Sequence, residues 1–190
     1  GDETIIRAIS PLPNGNMLIG GHKGALCEYQ KQPDGSYKLS EHRIEGFENK
    51  YGYENTINAI SPLPNGNMLI GGNFGALYEY QKQPDGSYRL SKHRIEGFKN
   101  KDGYETTINA ISPLSNGNML IGGSGGTLYE YQKQPDGSYK LSEYHRIEEL
   151  GITHLGALLS SIYRVDVDIL AFGVAGYAVH VIDKRATWLY

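Results

Sequence analysis

Residues 56–81 read TINAISPLPNGNMLIGGNFGALYEYQ, and most of the chain is that stretch and its flank written again at a fixed spacing. Ser10, Ser61 and Ser112 stand 51 residues apart, as do Met17, Met68 and Met119, and Tyr37, Tyr88 and Tyr139. Between 6–56 and 57–107, nine of 51 aligned positions differ. A period of roughly 20 to 50 residues marks stacked or radially arranged units, each too small to bury its own apolar face.

One copy carries its own punctuation. Ile57–Leu63 is an apolar run, Pro64-Asn65-Gly66 a turn, Asn67–Gly72 a second run and Asn73-Phe74-Gly75 a second turn. Ala76–Gln81 is a third run, Pro84-Asp85-Gly86 a third turn and Tyr88–Ile95 a fourth run. Asn-Gly and Asp-Gly accept the positive φ of tight hairpin turns, so the copy predicts four antiparallel strands, A to D. Strands A and B are apolar on both faces, through Ile57, Ala59 and Ile60 and through Met68, Leu69 and Ile70, whereas D carries Arg89, Lys92, His93 and Arg94. A sheet covered on one side only would alternate. Both faces of A and B are therefore expected to be buried, with A innermost and D at the rim, which is the gradient of a β-propeller blade. Gly71-Gly72 either lets backbones approach closely near the axis or ends strand B.

The first copy begins at Ile5 or Ile6 and the third at Ile108. A divergent fourth follows: 170–176, LAFGVAG, overlays 120–126, LIGGSGG, without gaps, and 178–181 overlays 128–131. Its A–B turn is expected at Tyr163-Arg164-Val165-Asp166. The fold class is thus all-β with almost no helix, one β-propeller domain over 1–190. Its four-stranded antiparallel blades number about four, at 5–55, 56–106, 107–151 and 152–190, the last incomplete. An incomplete blade leaves an edge that templates another strand, which points to self-association through 186–190 and the apolar tail.

A formal charge of −3 supplies no basic field, so nucleic acid is not expected as a partner. Twenty-five glycines and 15 tyrosines, against one tryptophan and four phenylalanines, fit many tight turns between half-buried strands. The single cysteine, Cys27, is replaced by Tyr78 and Tyr129 in the other copies, which suits a reducing, cytoplasmic setting. The most apolar stretch, 155–182, is broken by Arg164, Asp166 and Asp168, so neither a secretory signal nor a membrane span is expected. The opening Gly1 is not an initiator methionine, as in a piece of a longer protein.

The run Ile-x-Ala-Ile-Ser-Pro-Leu-Pro-Asn-Gly-Asn-Met-Leu-Ile-Gly-Gly-x-x-Gly-Ala-Leu-Tyr-Glu-Tyr at 57–80 resembles WD-repeat blades and the related propeller repeats of bacterial sensor regulators. The likeness extends over nearly the whole chain. The double glycine followed by tyrosine is similar, less closely, to kelch repeats. What the WD-repeat resemblance implies is a scaffold that engages proteins or peptides.

His42, His93 and His145 occur once per copy on strand D, on separate rims, too far apart to share an ion whose ligands sit about 2 Å away. No Gly-x-Ser-x-Gly elbow, His-Glu-x-x-His pair or phosphate loop appears. Asp166 and Asp168 read as a solvated turn rather than an acid–base pair. The expectation is no metal, no cofactor and no enzymatic activity. Binding is sought where near-identical copies differ. The A–B and C–D turns, at one end of each sheet, are uniform. The other end varies: His22 and Lys23, Asn73 and Phe74, or Ser124 and Gly125 at the B–C turn; Arg7, Asn58 or Asn109 at the start of A; Tyr51 or Asp102 in the D–A loop. Drift at free loops explains such variation, and so does a recognition face on a rigid scaffold. The candidate partners are a protein or peptide held on that face or, alternatively, glycans held in repeated lectin-like pockets lined by Tyr and Asn, where several equivalent sites raise avidity.

Overall fold

A computed structural model of the chain describes residues 5–42, 46–48, 51–85, 88–93, 98–99, 102–136, 139–143, 159–166, 169–174 and 177–183, with backbone alone from 143 onward. The chain forms two compact units, Gly1–Arg94 and Ile95–Tyr190. The first unit holds two antiparallel meanders. One is β1 (Ile6–Pro11), β2 (Met17–Gly21), β3 (Leu26–Lys31) and β4 (Tyr37–His42); the other is β5 (Ile57–Pro62), β6 (Met68–Gly72), β7 (Leu77–Lys82) and β8 (Tyr88–His93). The second unit holds a third such sheet, β9 (Ile108–Pro113), β10 (Met119–Gly123), β11 (Leu128–Lys133) and β12 (Tyr139–Glu143). A three-stranded sheet, β13 (Leu159–Asp166), β14 (Ile169–Val174) and β15 (Tyr177–Asp183), completes it. Helix among the described residues is confined to three-residue 3-10 turns at the B–C connections. The all-β blade architecture follows the repeat as expected.

The A–B hairpin differs in detail from the sequence reading. Its turn is closed by Gly15 N–H donating to Leu12 C=O at 3.0 Å, which puts Pro13 and Asn14 at the centre, and Gly15 alone takes positive φ. Proline's fixed φ suits the first central position, and a left-handed glycine after such a turn is the three-residue hairpin loop.

In the first unit, β1 and β2 lie along β5. The joint core pairs Ala8, Leu18 and Leu26 of one sheet with Ile57, Ile60, Met68, Ile70 and Tyr80 of the next. Each buried aliphatic contributes about 1.5–3 kcal/mol relative to exposure. Gly20 is required by this contact, because a Cβ there would overlap the Ile57 side chain. Strands β5 and β6 are buried on both faces, while β4 is largely exposed and β8 mostly half-buried, in line with the expected inner-to-outer gradient. Strand β1 departs from it: Ile6 and Ile9 are exposed, so one face of that strand A is uncovered.

In the second unit, β13 runs beside β9 and β10. Strands β14 and β15 fall where the overlay puts the fourth copy. Leu170 pairs with Ile182, not with residue 180 as an ungapped overlay implies; a slip of two keeps every side chain on its face. The expected turn at Tyr163-Arg164-Val165-Asp166 is strand instead: β13 runs through Asp166 and its antiparallel partner β14 begins at Ile169. Tyr163 and Val165 favour extended backbone, and a register irregularity between Arg164 and Asp166 carries β13 on before the reversal. The fourth sheet has three strands among the described residues. The tail expected to mediate assembly, 186–190, lies outside them, as do Asp168 and His145.

Candidate functional site

The varied end of each sheet is built by one device used three times. Ile6 pairs with Gly21 and Ala8 with Gly20, so Arg7 is an extra residue in strand A; Asn58 and Asn109 are the extra residues of the next two copies. Such a bulge re-aims its side chain. Here each bulged residue meets the first residue of its own B–C turn. Arg7 Nη2 lies 3.3 Å from His22 Nε2, Asn58 Nδ2 donates to Asn73 Oδ1 at 3.0 Å, and Asn109 Nδ2 donates to Ser124 Oγ at 3.2 Å.

The middle residue of each B–C turn sits in the left-handed region: Lys23 at φ 53°, Phe74 at φ 54° and Gly125 at φ 72°. Glycine takes that conformation freely, whereas another L-residue pays about 1–2 kcal/mol. The turn geometry is thus common to all three copies, but only the third carries the residue that suits it.

The D–A loop is fastened to the same turn. In the first unit Glu48 bridges Glu54, Phe47 is buried edge-on against Tyr78 at 5.0 Å, and Tyr78 Oη donates to Glu48 C=O. Buried Asn55 donates to Asn73 C=O at 3.1 Å and accepts from Asn73 N–H at 2.9 Å. Gly24 of the first turn faces Asn55 and Phe47, which joins the two B–C turns and the loop into one surface. On it Tyr51 and Phe74 meet edge to face at 5.7 Å. The second unit repeats the plan with Phe98 against Tyr129 and Thr106 Oγ1 donating to Ser124 C=O at 2.8 Å. Tyr53 and Tyr104, one per D–A loop, are both exposed.

The uniform end is organised around a buried carboxylate in β3 and its counterparts. Glu28 accepts from Asn14 Nδ2 at 3.1 Å, Asn16 Nδ2 at 2.6 Å and Tyr88 Oη at 3.0 Å, with His42 Nε2 at 3.4 Å. Glu79 repeats this with Asn65, Asn67 and His93 Nε2, the last at 3.0 Å, and Glu130 with Asn116 and Asn118. Burial pushes Glu28 up, but the amides of Asn16 and Asn14, the Tyr88 hydroxyl and His42 outweigh it, so its carboxyl titrates lower than usual. Burial holds His42 below its ordinary value despite Glu28. An ionised Glu28 can only accept, so neutral His42 carries its proton on Nε2 and Nδ1 accepts from Tyr80 Oη, 2.5 Å away. Burial and the bond to Glu28 push Tyr88 up to about 12. This Tyr–His–Glu chain runs from a buried phenol to a buried carboxylate, which makes it a clamp between two sheets.

The candidate residues thus fall at one end of their sheets. In the first unit Arg7, His22, Lys23, Tyr51, Asn58, Asn73 and Phe74 surround the two B–C turns; in the second, Asn109 and Ser124 pair and Asp102 lies in the D–A loop. Sequence reasoning missed the anchors Phe47 and Phe98 and the carboxylates Glu28, Glu79 and Glu130, although both sets recur at the period of 51. It placed His42 and His93 on an exposed rim, where the structure half-buries them against those carboxylates. Among the described residues no group of three His, Cys, Asp or Glu side chains could hold a metal ion.

No protein-family model matches the sequence, and no curated protein does. Solved structures share the fold. The extracellular domain of a proposed hybrid two component system, BT4673 of B. thetaiotaomicron, aligns with TM-score 0.63 and 17% identity over 93% of this chain and 21% of that one. A proposed gluconolactonase aligns with TM-score 0.60 and 17% identity over 93% of this chain and 59% of that one. A luciferin-regenerating enzyme gives 0.66 and 13% over 96% and 60%. The chain spans less than two thirds of each. The expectation of no enzymatic activity is corrected here: the same architecture carries proteins described as enzymes, so catalysis is open to this chain. The fold is that of these β-propeller-like proteins, an architecture suited to a binding module.

Proposed function

We propose that the chain is a binding module that engages a protein or peptide partner on the surface that the strand A bulges, the B–C turns and the D–A loop make in the first unit. One observation supports this reading above the others. The left-handed position of the B–C turn is filled by Lys23 and Phe74 where Gly125 shows that glycine serves. Drift has no reason to hold two costly side chains at a position that glycine fits, whereas strain retained at an exposed turn is characteristic of sites under functional demand. Around them the two sheets of the first unit offer different groups, Arg7 with His22 and Asn58 with Asn73. A peptide crossing that surface meets cationic, aromatic and amide chemistry in turn.

Glycan binding is favoured by a different observation, the exposed Tyr53 and Tyr104 at equivalent positions of the two D–A loops. Such rings suit the apolar faces of a sugar, and their hydroxyls its hydroxyls. A displayed peptide library and a glycan array, probed with the same protein, separate the two. The proposal expects selected peptides to bind one per chain and to be lost when His22, Lys23, Asn73 and Phe74 are replaced together, with the melting temperature held. Sugars bound once per repeat, with no peptide selected, would replace it by the lectin reading.

A further inference from the structure

We propose that Asn116 is a site of spontaneous deamidation in the folded chain, while Asn14 and Asn65, in the same turn of the other two repeats, are held back from it. Each of the three is followed by glycine, and the sequence has no other Asn-Gly pair. In such a pair the glycine N–H loses its proton to hydroxide, its nitrogen bonds to the asparagine Cγ, and the Cγ–Nδ2 bond breaks, with ammonia leaving on a proton taken from water. Water then opens the resulting succinimide at either carbonyl, giving aspartate or isoaspartate. Glycine lends itself to the attack because no Cβ shields its nitrogen. Nothing stands within 4 Å of where a Cβ would lie at Gly15, Gly66 or Gly117, and the three asparagines are exposed, so water and hydroxide reach each turn.

The closed turn resists this chemistry. Gly117 N–H donates to Leu114 C=O at 3.1 Å, which engages the nucleophile. Asn116 Oδ1 accepts from Asn118 N–H at 3.0 Å and its Nδ2 donates to Glu130 at 3.1 Å, which keeps Cγ from swinging round to meet it. Gly15 with Asn14 and Gly66 with Asn65 are tied in the same way. The reaction therefore waits on opening of the turn, and there the copies part. Pro13 and Pro64 occupy the first central position, where a fixed φ pre-forms the turn, and Ser115 stands there in the third copy. A proline that fits its position lowers the open population by about two- to fivefold. The carboxylate differs too: Glu28 and Glu79 are buried and Glu130 only half-buried, so water competes better for the Asn116 amide. Once formed, the new carboxylate can only accept, and it faces Glu130 as a like charge where an amide donated, so the hairpin loses its tie to β11.

The test is peptide mapping by mass spectrometry of the full chain kept for weeks at pH 8, both folded and unfolded in guanidinium chloride, with Ser115→Pro and Pro64→Ser beside wild type. In the folded chain Asn116 should convert to the acid at least about twofold faster than Asn14 and Asn65, and in guanidinium chloride the three should convert at one rate. Ser115→Pro should slow Asn116, and Pro64→Ser should speed Asn65, each by about two- to fivefold. Equal conversion of all three in the folded chain overturns the proposal, as does conversion of Asn116 no faster than that of Asn118, which methionine follows. A preference for Asn116 that persists in guanidinium chloride overturns it too, because the turn is then not what decides.

Discussion

Replacing Glu28 by alanine isolates the buried clamp. The substitution strands four donors: Asn14 and Asn16 Nδ2, the Tyr88 hydroxyl and His42 Nε2. Asn14 is exposed and Asn16 half-buried, so their amides recover water at little cost. Tyr88 and His42, held between two sheets, do not recover it fully. Hydrogen bonds to a charged group contribute about 1.5–3 kcal/mol each, and removing the carboxylate also relieves its own desolvation, so the net loss is about 2–4 kcal/mol. For a unit of this size that lowers Tm by roughly 10–20 °C. Thermal and urea melts at pH 7 measure it, with Tyr88→Phe expected to lose about 1–2 kcal/mol and the double variant to lose less than the sum. A loss under about 0.5 kcal/mol for Glu28→Ala, or strict additivity, would refute the clamp.

Gly20→Val forces a branched side chain onto Ile57 and should cost about 1–3 kcal/mol in a urea melt, while Lys38→Val on exposed β4 stays within about 0.5 kcal/mol. Lys23→Gly removes a left-handed lysine and should leave stability equal or raise it by up to about 1 kcal/mol, where a marked loss would contradict the strain at that turn. Burial holds His42 and His93 below their ordinary value, so the unfolded chain takes up protons first and stability falls as pH drops through about 6.5. The folded carboxyls of Glu28 and Glu79 sit lower than usual, which adds a second loss below about pH 4.5. Melts from pH 8 to 4 should show both steps, and His42→Asn with His93→Asn should flatten the first; a Tm that rises on acidification reverses the sign.

Much of the fold is written in the period. Ile57–Pro62 and Met68–Gly72 are apolar on both faces, and that alone requires sheets stacked on sheets. The start of each turn is equally plain in Pro13-Asn14-Gly15 and its copies. What was less legible is whatever depends on two repeats at once. Glu28 reads as an ordinary charge on a strand until Tyr88, sixty residues on, is placed beside it. Ile9 and Ile60 are the same residue in the same local sequence, and only their neighbours make one exposed and the other buried. The bulges at Arg7, Asn58 and Asn109 leave no local signal, because they arise from the pairing of strand A with the Gly-Gly end of strand B. In the fourth sheet the Asn-Gly signal is lost, and without it the hairpin turn is placed too early.

The central claim, that the varied ends of the sheets are where a partner binds, is tested most directly by hydrogen–deuterium exchange with and without a peptide selected from the displayed library. Binding should slow exchange at 5–7, 22–25, 51–58 and 73–76 and leave the hairpins at 12–16 and 63–67 unchanged. Slowed exchange at those hairpins, with the B–C turns untouched, would contradict the account.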